Sequence, residues 1–227
     1  MNDSSWSSTF ERFPTGTSHL LGSIAVDVHD WSRPQAGEPR LFREGPLEWF
    51  TCAHPAALVA LYVPGGLWLT WIGLRAGDSA ALAGLLYVAG LVFWTLLEYG
   101  LHRYSFHHVP RTSRQVAFGY LIHGVHHAYP DDSRRWVMPP VVSLPTILVL
   151  AGAAWLLFGL EALPFIGGGV HGYLIYDTTH YLIHRGSMRS RLGRYLRRHH
   201  LQHHHAVPEC NFGVSSPIWD FIFHTAR

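Results

Sequence analysis

Residues 55–74 read PAALVALYVPGGLWLTWIGL, twenty positions without a charged side chain. At about 1.5 Å of rise per residue, a helix of that length covers the roughly 30 Å hydrocarbon core of a bilayer. Working outward, Arg75-Ala-Gly-Asp78-Ser supplies a tight polar turn, and Ala80 to Leu97 returns as a second uncharged run. Beyond the polar stretch from Glu98 to Pro140, Val141 to Leu160 forms a third apolar run and Leu163 to Tyr176 a shorter, Gly-rich fourth. The pattern predicts an all-α integral membrane protein with about four transmembrane helices, arranged as two hairpins beneath a cap. In the fourth run Gly167, Gly168, Gly169 and His171 mark either close helix packing or a segment that only dips into the bilayer. The alternative, a soluble helical protein, would have to bury three uncharged runs of eighteen to twenty residues. Residues 1–54 are polar and punctuated by Pro and Gly, and read as an N-terminal cytosolic segment ahead of a membrane domain over 55–227.

Composition points the same way. Of the 227 residues 48% are hydrophobic and only 14% charged, a low charge content for a soluble domain. All 17 basic residues are Arg and they form no basic block, so nucleic acid is not an expected partner. With the N-terminal segment, the 98–140 loop and the tail after His184 on one side, every Arg except Arg75 lies there, and the positive-inside rule makes that side cytoplasmic. Cys52 and Cys210 lack C-x-x-C spacing, which supports neither a disulfide framework nor a thiolate metal site and suits a reducing compartment. The opening MNDSSWSSTFERFP has no basic start followed by an apolar run, so a cleavable signal peptide is not expected.

Thirteen of the eighteen His fall in two windows, 102–127 and 180–205, both on the proposed cytoplasmic side. Four groups stand out: His102-Arg-Tyr-Ser-Phe-His107-His108, His123-Gly-Val-His126-His127, His180-Tyr-Leu-Ile-His184 and His200-Leu-Gln-His203-His204-His205. Residues three or four apart share a helix face, so His123 with His126 and His127, His180 with His184, and His200 with His203 and His204 can each aim imidazoles at one point. Neutral imidazole is a donor for iron, zinc, copper or nickel. A structural zinc is satisfied by four ligands, so ten well-placed histidines suit two ions with open positions. Redox-active iron activates dioxygen and zinc does not, although zinc can occupy such a site in a purified sample. Helical spacing also sets Glu98 four residues before His102 and Asp177 three before His180, so each carboxylate is a candidate catalytic-site residue that orients an imidazole through its other ring nitrogen. Arg103, Arg134 and Arg135 are placed to meet an anionic head group or lipid phosphate.

With these groups assembled, residues 90–225 resemble the fatty acid hydroxylase superfamily, and most closely the fatty acid 2-hydroxylases that act on sphingolipid acyl chains. The resemblance rests on Glu98-Tyr-Gly-Leu-His-Arg103, on His123-Gly-Val-His-His-Ala-Tyr-Pro-Asp131 running through Arg135 to Pro139-Pro140, and on Gly172-Tyr-Leu-Ile-Tyr-Asp177-Thr-Thr-His180-Tyr. It continues through His200-Leu-Gln-His-His and Asn211-Phe-Gly-Val-Ser-Ser-Pro-Ile-Trp-Asp220. The family pattern implies that His102, His107, His123, His126, His127, His180, His184, His200, His203 and His204 are the metal ligands. It also implies four spanning segments beneath a cytosolic cap, with 55–227 as the catalytic domain. His108, His199 and His205 lie where the family does not need histidine and read as neighbours of the site. His171 reads as a packing or channel residue, and His19, His29, His54 and His224 as ordinary surface or interface histidines. Arg185 stands where relatives often carry a further His, and the interval from His184 to His200 is one residue longer than theirs.

An unactivated methylene has no acidic proton and no leaving group, so its hydroxylation needs a metal-bound oxidant. The expected activity is therefore a dioxygen-dependent hydroxylation of a lipid acyl chain by two iron ions in the membrane, at the 2-position if the resemblance holds. Residues 1–54 are too short for the fused haem domain of some relatives and lack its His-Pro-Gly-Gly signature, so electrons are expected from a separate electron-transfer protein. Two rivals remain open: a sterol or carotenoid desaturase or hydroxylase on the same framework, and a membrane protein that binds metal without catalysis. Metal transport would call for polar or ionisable residues in mid-membrane, and runs 55–74, 80–97 and 141–160 contain none that ionises strongly.

Overall fold

The computed structural model describes residues 34–42, 45–77 and 79–227, and every regular element among them is helical. The readings on residues 1–33, including the signal-peptide expectation and His19 and His29, lie outside the described residues, as does Asp78. A short helix α1 (Gly45–Trp49) precedes α2 (Pro55–Ala76). Pro55 opens α2 at a position where its missing N–H costs nothing, and the His54 ring caps it, Nδ1 accepting from the Ala56 amide at 3.1 Å. Gly77, at φ 121°, ends the helix in a conformation other residues avoid. The Ser79 hydroxyl then accepts from the Leu82 amide to start α3 (Ala80–Gly100). The chain thus reverses at the turn the sequence marks.

The cap that follows carries α4 (Ser113–Gly119) and α5 (Val125–Ala128). After it come α6 (Pro140–Phe158) and α7 (Leu163–Arg185), joined by a 3₁₀ turn at Gly159–Ala162, then α8 (Arg191–His205) and the short α9 (Ile218–Ile222). Helix α7 packs against α2 and α3, and it is the most buried of the long helices. Its glycines bring backbones into contact: a Cβ on Gly168 would fall on the Tyr87 carbonyl of α3, and one on Gly90 would fall on the Phe165 carbonyl of α7. His171 adds a polar tie, Nδ1 meeting the Tyr87 hydroxyl at 2.5 Å and Nε2 donating to the Val63 carbonyl of α2 at 3.0 Å. Close helix packing is therefore what this Gly-rich segment does.

Three stretches have the length and apolar content to cross a bilayer: Pro55–Ala76, Ala80–Phe106 and Ser133–Arg185, the last of which contains both α6 and α7. Helix α6 is held at its cap end by Ser143, whose hydroxyl lies 2.8 Å from that of Tyr62. Further along it exposes Leu148, Val149 and Leu156 at 61%, 71% and 79%. A row of aliphatic side chains turned outward on a helix of this length suits hydrocarbon as the surrounding solvent.

Candidate metal centre

His107 lies five positions after His102, and in an α-helix that interval would turn their side chains about 140° apart. The backbone resolves the mismatch by widening into a π-helical turn over Leu101–Phe106, in which the His107 amide bonds back to the His102 carbonyl at 3.1 Å. Both rings then face one point. A second π turn, Tyr120–Gly124, leads into α5 and sets His123, His126 and His127. On α7, His180 and His184 are one turn apart, as are His200 and His204 on α8.

The ten histidines singled out in the sequence converge as two groups of five. His102, His107, His123, His127 and His203 form the first, and His126, His180, His184, His200 and His204 the second; within each, one ring nitrogen per residue lies within 4.8 Å of all the others. Eight of the ten are buried, and His107 and His184 partly so. The α5 and α8 segments straddle the two groups, so His127 of the first stacks on His204 of the second with ring centres 4.2 Å apart.

Tautomers follow from the partners. Nδ1 of His102 donates to the Phe212 carbonyl at 2.5 Å, that of His180 to Trp136 at 2.7 Å and that of His203 to Cys210 at 2.7 Å. A carbonyl only accepts, so each of these rings carries its proton on Nδ1 and presents a bare lone pair at Nε2. These lone pairs point into the groups: His102 Nε2 lies 3.1 Å from His123 Nε2, and His203 Nε2 lies 3.0 Å from His107 Nε2. His180 Nε2 is buried with no protein partner. Burial, reinforced by the neighbouring imidazoles, holds His123, His126, His127, His200, His203 and His204 well below the usual histidine range, so they are neutral at physiological pH. Clustered neutral lone pairs repel one another unless a cation sits among them, and all-imidazole sets of this size fit a borderline divalent metal such as iron or zinc.

A family model for fatty acid hydroxylases matches residues 87–225. The chain belongs to the fatty acid hydroxylase family. It is 33% identical over 213 residues to a dihydroceramide fatty acyl 2-hydroxylase of Arabidopsis thaliana, covering 90% of this chain and 88% of that protein. With the fatty acid 2-hydroxylase of Mus musculus the identity is 32%, over 90% of this chain but only 61% of the longer mouse protein. A solved structure of full-length scs7p, in which only the hydroxylase domain is visible, superposes with a TM-score of 0.84 at 30% identity, covering 91% of this chain and 82% of that one. Membership places the chain among the hydroxylases, which are oxidoreductases, and its long apolar helices make it a multi-pass membrane protein.

Elsewhere in this hydroxylase the structure corrects two expected contacts. Neither Glu98 nor Asp177 touches an imidazole, because backbone carbonyls take the ring nitrogens first. Both carboxylates are buried and bond to backbone amides: Glu98 accepts from Val214 and Ser215, and Asp177 from Met138. Of the neighbouring histidines, His108 and His205 are exposed, while His199 is buried against Asp220 at 3.0 Å. Hydrogen bonds from His199, Thr225 and two backbone amides outweigh burial and keep the Asp220 carboxyl below its usual range. His224 is exposed, and His54 is the cap of α2 already described. Arg103 donates to the Tyr99 hydroxyl at 2.7 Å, and Arg134 bonds Asp132 at 3.0 Å. Arg135 is buried, paired with Asp132 and with Glu48 at 2.5 Å. These latter two arginines fasten the residues before α2 to the cap, bonding the Pro39 carbonyl and, for Arg135, Glu48. The carbonyls of Trp136, Cys210 and Phe212 are the functional groups that sequence reasoning missed; the only signal for the last was its place in the Asn211–Asp220 stretch.

A cavity of about 370 Å³ opens beside both groups, with His123, His126 and His180 on its wall among Phe118, Met138 and Tyr176. A second, of about 250 Å³, shares Phe118, Ile122, Met138, Val142 and Tyr176 and continues past Trp94 and Ile147 between α3, α6 and α7. Leu41, Phe42, Leu47 and Phe50, ahead of α2, complete the first cavity's wall. Glu48 holds that segment in place by accepting from the Leu41 and Phe42 amides at 2.8 Å each.

Proposed function

We propose that this chain is a membrane-embedded di-iron oxygenase that hydroxylates a lipid acyl chain at its 2-position, the acyl group belonging to a fatty acid or sphingolipid. The observation that carries the reading is the pair of five-imidazole groups on the edge of an apolar cavity that continues among the long helices. The names of the relatives, fatty acid and dihydroceramide fatty acyl 2-hydroxylases, support the substrate class. The ten histidines would hold two iron ions, five each, and the irons when bound supply the activation of dioxygen. Overall, one C–H bond, one dioxygen, two electrons and two protons give one C–OH and one water, with the electrons coming from a separate electron-transfer protein.

The chain's own residues do the rest. Phe118, Met138 and Tyr176 exclude water from the space beside the imidazoles, and the smaller cavity at Trp94 and Ile147 takes the tail of the acyl chain. A 2-position lies next to the head group, so this orientation sets the head at the cap and the tail towards the bilayer. We infer that α2, α3, α6 and α7 each cross the membrane, and that both imidazole groups, with residues 55–227 as the catalytic unit and Leu41, Phe42, Leu47 and Phe50 adding to its cavity wall, lie on the cytoplasmic face. Purified protein given isotopically labelled dioxygen, a lipid acyl substrate and an electron donor should yield labelled 2-hydroxy product. His108→Ala and His205→Ala should retain most of that turnover and His127→Ala and His204→Ala should abolish it. Unlabelled product, a double bond in place of a hydroxyl, or full turnover by His127→Ala overturns the reading.

A further inference from the structure

The stretch Asn211–Asp220 is singled out by sequence yet contributes no imidazole, and its backbone explains why it is there. Four successive amides in it are each bound by a buried carboxylate. The Phe212 and Gly213 amides donate to Asp220 at 2.8 Å each, and the Val214 and Ser215 amides donate to Glu98 at 2.7 Å each. The Ser215 hydroxyl also donates to Glu98, at 2.5 Å, and Thr225 and His199 complete Asp220. At Gly213 the fit is too close for a side chain, since a Cβ would strike the Ser216 carbonyl. With its amides held from both ends, the loop keeps the Phe212 carbonyl on Nδ1 of His102 and the Cys210 carbonyl on Nδ1 of His203.

The second group repeats the device. Asp177 holds the Met138 amide at 3.1 Å, and the carbonyl two residues earlier, at Trp136, receives Nδ1 of His180. Glu98 stands to Val214, Phe212 and His102 as Asp177 stands to Met138, Trp136 and His180. In both, a helix presents a carboxylate and then, three or four residues later, an imidazole to one crossing segment, and the carboxylate's amide lies two residues beyond the imidazole's carbonyl. We propose that Glu98 and Asp220, acting through the 212–215 loop, are positioning residues for His102, and that Asp177 is the positioning residue for His180. Each fixes the ring's tautomer and aims Nε2 into its group. The requirement is for an acceptor oxygen on the loop amides, not for negative charge at the metal. This rests on the metal-binding reading of the two groups.

The test uses the full chain, purified in detergent and loaded with iron or zinc, with ions per chain counted during stepwise challenge by a chelator. Wild type should hold two. In a His184→Ala/His200→Ala background that leaves only the first group, Glu98→Leu should weaken retention of the remaining ion by about 10- to 100-fold, the range seen when partners of metal-ligating imidazoles are removed. Glu98→Gln, whose amide oxygen accepts the same two N–H groups, should restore most of it, and Asp177→Leu should leave it unchanged. Ser215→Ala removes one of the three bonds to Glu98 and should weaken the ion several-fold, which keeps the idea testable should Glu98→Leu not fold. Retention as tight in Glu98→Leu as in Glu98→Gln, or loss of the first-group ion equally in Asp177→Leu, overturns the positioning role. A wild-type chain that holds no ion overturns the metal reading itself.

Discussion

At the scale of the residue, the imidazoles to which the proposed function assigns the chemistry also carry a pH liability. His123, His126, His127, His200, His203 and His204 are neutral in the fold because burial lowers their affinity for protons. In the unfolded chain each recovers an ordinary value of about 6.5. Below that pH the unfolded state binds more protons than the folded one, so the stability these groups contribute is present above about pH 6.5 and is lost as pH falls beneath it. The metal-stripped chain should show a thermal midpoint that drops between pH 7 and pH 5, with a slope corresponding to more than one proton; a flat profile would mean the rings are already charged or solvated. The residues themselves were legible from sequence: type and local spacing single out His123, His126, His127, His180, His184, His200, His203 and His204, and the family resemblance adds His102 and His107. Their partition was not. Nothing in His126-His127 says that adjacent rings serve different groups, because that depends on which side of the helix faces α7. Nor could Glu98 and Asp177 be separated from direct imidazole partners without knowing that backbone carbonyls reach the rings first.

At the scale of the element, α7 holds the membrane bundle and the site together. Its N-terminal half meets α2 and α3 through glycine, and its C-terminal half presents His180 and His184. Gly168→Ala should force α3 and α7 apart, since the new methyl falls on the Tyr87 carbonyl, costing about 1–3 kcal/mol in the manner of an overpacked core. Gly169→Ala should be tolerated, because the nearest atom to its Cβ is 3.9 Å away. Thermal unfolding in detergent separates the two, and equal midpoints would contradict the close approach. From hydropathy alone the fourth run stops at Tyr176, whereas the helix continues to Arg185. Hydropathy follows the apolar face and loses it where Asp177 and the histidines turn inward to a polar site instead of outward to water. The π turns were hidden for a related reason: a five-residue interval between histidines fits no regular helix face, and only the need to aim both rings at one point widens the backbone at Leu101–Phe106.

For the whole molecule, the apolar runs and the one-sided distribution of Arg predict an orientation that an experiment can read. In a Cys52→Ser/Cys210→Ser background, an impermeant thiol reagent outside intact cells should label Ala76→Cys and spare Ser187→Cys. The opposite pattern inverts the chain in the membrane. The membership of the imidazole groups has one more consequence, for how the protein is made. The first group draws on residues 102–127 and then on His203; the second has only His126 until α7 appears, and closes with His200 and His204. Chains are synthesised from the N-terminus, so neither group is whole until α8, which follows every long apolar helix, has left the ribosome. On the proposed di-iron reading, metal capture is then the last act of biogenesis, and iron starvation should build up a fully inserted, inactive pool that restored iron activates without new translation.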